Sequence, residues 1–222
     1  MSRRRSLCTP VPAIFAAAEK LLDAVDRHLA GDFLGTEERL IEANDKAVWN
    51  YTDQAWGHGA AARYGFIKCA ESPPHLSLAD RPTPRMPSAA TRKAALVRDG
   101  HHCRFCGIPV IDPAVRRRIQ AVYPAAVSWG STNDSQHAAF QCMWLQFDHI
   151  LPNGRGGDSS IDNIVITCAA CNFGRMDATL EEAQLIHPLT LDPPVAWDRY
   201  AEWDGLERFN TKLSGSDFRP PA

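Results

Sequence analysis

The sequence predicts an α+β fold: a mainly helical N-terminal region and, beyond a proline-rich break, a small β-loop-β-α unit stapled by four cysteines. Three observations predict it. Apolar residues recur at helical spacing from Val11 to about Trp56, and the pattern stops where Pro73, Pro74, Pro82, Pro84 and Pro87 begin to punctuate the chain. Two short apolar runs, one around Asp148-His149 and one from Ile164 to Ile166, flank a glycine-rich stretch. Two Cys-x-x-Cys pairs, Cys103/Cys106 and Cys168/Cys171, bracket that unit.

In chain order, Ile14, Leu21, Leu22, Val25 and Leu29 form the stripe of a first helix ending near Gly31, and Leu40, Ile41, Val48 and Trp49 form a second. Thr36 is the expected N-cap of the second helix, with Glu37 and Glu38 in its positively polarised first turn, so residues 1–71 read as a helical hairpin region. Residues 72–87 are the linker and domain boundary, because each proline fixes φ and lacks an N–H, which denies the segment a helix or an inner strand. Ser88 caps a short helix through Val97, closed by Gly100. Residues 88–185 make the second domain, with an insertion at about 108–146 and a final helix expected from Met176 to Gln184. Residues 186–213 are a C-terminal extension, and 214–222 read as a disordered tail.

At 222 residues and 45% hydrophobic content the chain can bury a real core, which excludes a disordered chain. No run approaches the roughly eighteen continuous apolar residues of a membrane span. Arg3, Arg4 and Arg5 lead into Cys8-Thr9-Pro10 instead of an apolar export core, so a cytoplasmic protein with no membrane partner is expected. A reducing compartment also suits the seven cysteines, of which Cys8, Cys69 and Cys142 read as reduced thiols outside the two pairs. The net charge of -2 conceals segregation. Nine basic residues (Arg81, Arg85, Arg92, Lys93, Arg98, Arg104, Arg116, Arg117, Arg118) stand against Asp99 and Asp112 in the centre, while nine acidic residues stand against four basic from Glu19 to Asp53. A basic centre between acidic flanks is a candidate face for nucleic acid.

Two thiolates three residues apart, followed in Cys103-Arg104-Phe105-Cys106-Gly107 by a glycine, can hold one metal from a single turn. Cys168-Ala169-Ala170-Cys171 repeats the spacing, so Cys103, Cys106, Cys168 and Cys171 together make a tetrahedral structural zinc site, one per chain. Neither pair lies in a βαβ unit of the kind that carries a redox Cys-x-x-Cys. Asp148, His149 and an asparagine fall at the junctions of the β-loop-β-α unit, which suggests a second, oxygen-rich metal site distinct from the zinc.

The string RKAALVRDGHHCRFCG from Arg92 to Gly107, followed by DHILP, GRGG, DNIVITC and AACNFGR, resembles an HNH endonuclease of the zinc-bearing type, with Asn172 as the final motif residue. The stretch Asp148 to Asp177 also resembles the HNH domain of the RNA-guided CRISPR nuclease, which lacks the cysteines. The resemblance covers about Ser88 to Glu182. It implies a ββα-metal core in which His149 is the general base, Asp148 and Asn172 ligate a catalytic Mg2+ or Mn2+, and Asn163 fastens the loop that aims His149. Arg175 stands where many relatives carry lysine and is a candidate phosphate contact, as are Arg116, Arg117 and Arg118 on the insertion; Trp129 and Trp144 read as packing.

Elementary chemistry agrees with that assignment. Phosphodiester hydrolysis needs a water deprotonated near neutral pH, which suits an imidazole of pKa about 6.5. It also needs charge stabilised on phosphoryl oxygens, which a hard cation on oxygen ligands supplies. The leading expectation is a metal-dependent endonuclease acting on DNA. Two other readings stand beside it: a non-catalytic zinc module that binds nucleic acid or protein, and a nuclease subunit of a defence or mobile-element complex docked through its N-terminal helices.

Overall fold

The computed structural model describes residues 3–56 and 60–210. Helix α1, Pro12–Leu29, starts with proline at the one position where a missing N–H costs nothing, and it buries Ile14, Leu21, Leu22 and Val25. Helix α2, Phe33–Glu42, and helix α3, Lys46–Ala55, follow; α1 packs against both. The second expected helix is therefore two. Asp32 caps α2 by accepting the Gly35 N–H (2.9 Å), and Asp45 caps α3 by accepting the Ala47 N–H (2.6 Å). Thr36 is not the cap: it lies buried within α2, its hydroxyl donating to Asp32 O (2.7 Å). Ile41, 55% exposed, is outside the core stripe.

A single turn, α4 (Ala60–Arg63), precedes the proline-rich segment, which holds one short 3-10 turn at Leu78–Asp80 and otherwise forms bends and coil with neither helix nor strand. Helix α5, Ala89–Asp99, is capped by Ser88 through the Thr91 N–H (3.1 Å) and closed by Gly100 at φ +66°. Helices α6 (Pro113–Val122) and α7 (Ala138–Cys142) occupy the expected insertion. Its Ile108, Val110, Ile111, Ile119, Tyr123 and Phe140 are all buried. The Tyr123 hydroxyl meets His28 of α1 (2.8 Å), and His137 Nε2 meets Leu40 O of α2 (2.8 Å). One continuous core thus runs from the N-terminal helices through the insertion to the cysteine cluster.

Strands β1 (Gln146–His149) and β2 (Ile164–Thr167) pair antiparallel, Asp148 opposite Val165 and His149 opposite Ile164, and lead into helix α8, Ala169–Arg175. The outer edge of β2 is also satisfied. Asp99, at the end of α5, accepts the Ile166 N–H (3.0 Å), and Ile166 O accepts the Arg104 N–H (2.8 Å). Arg98 holds the same joint, donating to Ile161 O (2.8 Å) and Ile164 O (2.5 Å).

No helix spans Met176 to Gln184. Met176 takes φ +54°, which ends α8, and Arg175 turns inward to donate to Ala178 O (2.9 Å). Thr179 and Glu182 then bond reciprocally, the Thr179 N–H to Glu182 Oε2 (2.9 Å) and the Glu182 N–H to Thr179 Oγ1 (3.2 Å), forming a compact turn. Asn172 consequently sits within α8 rather than ahead of a helix. Beyond it, Trp197, Trp203 and Phe209 are buried, the Trp203 indole donating to Val110 O (3.1 Å). The tail 214–222 lies outside the described residues.

Candidate functional site

The first cluster comes from two turns. Cys103 N–H donates to Ile108 O and Gly107 N–H to Cys103 O, both at 2.8 Å, curling Cys103 and Cys106 onto one side. Only glycine fits at 107: φ is +79°, and an added Cβ would lie 2.7 Å from Ala196 Cβ and 2.8 Å from Pro194 O. Cys168 caps α8 and Cys171 lies on its first turn. The four sulfurs lie within 4.8 Å of one another, Cys106 to Cys168 at 3.6 Å, and every cysteine is free. A tetrahedral ion with thiolate bonds near 2.3 Å needs sulfurs about 3.8 Å apart, so the residues fit a metal. Burial opposes ionisation of Cys103, but hydrogen bonds from Cys106, Cys168 and Cys171 overcome it and hold that thiol well below its ordinary value. Burial and its neighbours push Cys106 up, and hydrogen bonding with the other three pushes Cys171 up. A bound dication would favour the thiolate form of its cysteine ligands.

The second cluster forms where β1 faces α8. Asp148 is 6% exposed, and its Oδ1 accepts from Arg175 Nη2 at 2.7 Å. Its Oδ2 is buried with no hydrogen-bond partner among the described residues. Burial pushes the Asp148 carboxyl above its ordinary range, with the Arg175 guanidinium pulling against that rise. Asn172 on α8 holds its amide nitrogen 3.4 Å from Gln146 Oε1. An orphaned buried carboxylate oxygen, in a residue that lines the same cleft as the Asn172 amide, fits a hard divalent cation, which takes oxygen ligands.

His149, at the end of β1, is half-buried, and burial lowers its pKa from the ordinary value while Asp148 opposes the fall. Neutral imidazole is therefore its resting form at neutral pH. Asn163 ties the following loop: its Oδ1 accepts the Leu151 N–H (2.8 Å), and its Nδ2 donates to Leu151 O (3.1 Å) and Asp158 O (2.7 Å). The loop is so tight that a Cβ at Gly157 would sit 1.7 Å from Leu151 O.

Asp148, His149 and Asn172 line one cleft of about 730 Å³, with Phe147, Trp144 and Phe173 on its wall. Its basic members are Arg81 and Arg85 from the proline-rich segment, Arg92 from α5 and Arg117 from α6. The other arginines expected here are placed differently. Arg175 is 1% exposed and brackets Asp148 Oδ1, His149 O, Ile150 O and Ala178 O, so it has no surface for a phosphate. Arg116 is largely buried, lies 4.0 Å over the Trp129 ring and donates to Gln120. Arg118 is exposed but not among the cleft residues. Arg98 and Arg104 bond backbone carbonyls. Reasoning from sequence singled out neither Arg81, Arg85 nor Ser159; the basic excess from Arg81 to Arg118 was the one signal for the two arginines.

A two-stranded hairpin running into a short helix, with carboxylate, imidazole and amide gathered at the junction, is the architecture of a ββα-metal core. Residues 134–175, covering α7, the hairpin and α8, match the family model for the HNH endonuclease. That stretch is similar to the HNH endonuclease domain, which supports a nuclease-type function in broad terms and suggests nucleic-acid binding. The first cysteine knuckle lies outside the matched residues. No curated protein matches the chain, and no solved structure does. Among the described residues no helix is long and apolar enough to cross a membrane.

Proposed function

We propose that the protein is a metal-dependent endonuclease that hydrolyses phosphodiester bonds in DNA, with His149 as general base. The observation that carries this reading is the buried, unpartnered Oδ2 of Asp148, a residue that lines one cleft with His149, Arg81, Arg85, Arg92 and Arg117. Asp148 and Asn172 would hold Mg2+ or Mn2+, which stabilises charge on the phosphoryl and leaving oxygens when bound. His149, neutral at rest, accepts a proton from the attacking water as its oxygen bonds to phosphorus. The bond from phosphorus to the 3′ oxygen breaks, that oxygen takes a proton from solvent, and the products are a 5′-phosphate and a 3′-hydroxyl. Arg81, Arg85, Arg92 and Arg117 would hold the flanking phosphates. Zinc on Cys103, Cys106, Cys168 and Cys171 would serve structure only, because four thiolates leave no open position for a water. Seven free cysteines suit the cytoplasm, where we place the protein.

The test is to incubate the purified protein with supercoiled plasmid, linear duplex, single-stranded DNA and RNA, with Mg2+ or Mn2+, and to map the product ends. Cleavage of DNA that needs the divalent ion and leaves 5′-phosphates is expected. No cleavage of any nucleic acid, with zinc bound and the fold intact, would overturn the reading in favour of a binding module.

A further inference from the structure

The proline-rich segment 72–87 lies outside the matched domain, yet it runs against the β1–β2 loop along a line of hydrogen bonds. Prolines lack N–H groups, so a proline-rich chain offers more acceptors than donors. The loop supplies what that chain lacks. Arg155 donates to Pro73 O, the Asn153 amide to Pro82 O (2.9 Å), and the Ser159 hydroxyl lies 3.0 Å from Pro84 O and 2.8 Å from Arg85 O. Ser159 Oγ is also 3.0 Å from His149 Nε2.

The proton inventory around that hydroxyl is decisive. Carbonyl oxygens can only accept, and two oxygens 2.8 Å apart repel unless a hydrogen lies between them, so Ser159 spends its one hydrogen on Pro84 O or Arg85 O. What remains for His149 is a lone pair, to which only an N–H can point. His149 must then carry its proton on Nε2 in the neutral form, leaving Nδ1 as the basic nitrogen. Nδ1 has no hydrogen bond among the described residues.

We propose that Ser159 is a positioning residue that fixes the tautomer and aim of His149, and that the Pro84 and Arg85 carbonyls of the proline-rich segment hold Ser159 in the accepting role. This rests on the reading of His149 as general base, but it adds a residue and a segment to the working unit. A ring held the other way round would present a protonated nitrogen to the water and accept nothing. The same segment carries Arg81 and Arg85 into the cleft, so substrate contact and orientation of the base share one stretch of backbone.

The experiment has two independent readouts on the full chain with its zinc. The first is the 15N spectrum of the histidine rings near neutral pH, with the His149 signals assigned by their loss in His149→Ala. Wild type should show His149 protonated at Nε2, and Ser159→Ala should show mixed tautomers. The second is the single-turnover cleavage rate at saturating duplex, beside duplex affinity in divalent-free buffer. Ser159→Ala should slow the chemical step roughly tenfold or more, as misplacing a reacting group does, with affinity within about twofold. Ser159→Thr, which keeps the hydroxyl, should restore most of the rate. A wild-type His149 protonated at Nδ1 overturns the proposal whether or not any cleavage is seen. So does a Ser159→Ala enzyme cutting at the wild-type rate. An inactive wild type with the Nε2–H tautomer would sink the nuclease reading while leaving the positioning geometry standing.

Discussion

Replacing Arg175 with alanine should cost the protein much of its stability. The guanidinium is 1% exposed and supplies donors to four acceptors: Asp148 Oδ1 at 2.7 Å, Ala178 O at 2.9 Å, Ile150 O at 3.1 Å, and His149 O. Removing one partner of a buried ion pair costs about 3–5 kcal/mol, because the other charge stays buried without compensation. Three carbonyls lose a donor as well, at roughly 1 kcal/mol each where water does not replace it. A loss of about 4 kcal/mol or more is expected, a large share of the 5–15 kcal/mol that typically separates folded from unfolded states. The assay is urea unfolding of zinc-loaded wild type and Arg175→Ala, repeated in an Asp148→Asn background. Because the larger part of the penalty is the stranded carboxylate, the arginine should matter less once Asp148 is neutral, with a coupling of at least about 1 kcal/mol. A loss under about 1 kcal/mol, combined with weakened duplex binding, would refute the buried bracket and restore Arg175 as a phosphate contact.

Three further outcomes follow from the same geometry. Native protein should hold about one zinc per chain, and Cys168→Ser should unfold it, since structural zinc contributes on the order of 10 kcal/mol to such folds; metal analysis finding no zinc would contradict the four-thiolate site. In a His149→Ala background, Arg117→Ala and Arg85→Ala should each reduce the salt dependence of duplex binding by about 0.9 in log-log slope, whereas Arg118→Ala and Arg116→Ala should leave it unchanged. Equal effects at all four would mean that the cleft does not define the binding face. His137 is fully buried and burial pushes its pKa down to about 4, below the ordinary 6.5. The unfolded chain therefore takes up a proton first, so stability held above pH 6.5 is lost as pH falls towards 4. The total is about 3 kcal/mol at 1.4 kcal/mol per unit, and urea melts of His137→Gln should lack that share of the slope.

The cysteine knuckles and the hairpin were legible in the sequence because their signals are local: a fixed Cys-x-x-Cys spacing, a glycine-rich loop between apolar runs, a serine before a helix. Asn163 entered through the family resemblance alone; in the structure its side chain bonds Leu151 and Asp158 within a single loop. Arg175 was not legible. Its partner Asp148 lies 27 residues away, and nothing in AACNFGR distinguishes an arginine aimed at solvent from one folded beneath its own helix. The helix expected from Met176 to Gln184 failed because Leu180 and Ala183 are buried by a turn rather than by a helical face. Thr36 looked like a cap on composition, but the chain already had Asp32 one turn earlier, with a carboxylate to accept Gly35. Prolines announced a break at 72–87 without revealing what their carbonyls would meet, since the acceptors act on a loop some seventy residues later.

The most direct test of the account is the single-turnover cleavage rate of duplex DNA by the wild type and by His149→Ala, each with zinc bound, across a Mg2+ series. Wild type should cut only when Mg2+ is present, and His149→Ala, folded and still binding duplex, should be slower by roughly a hundredfold or more at every Mg2+ concentration. A His149→Ala protein that cuts at the wild-type rate would contradict the account.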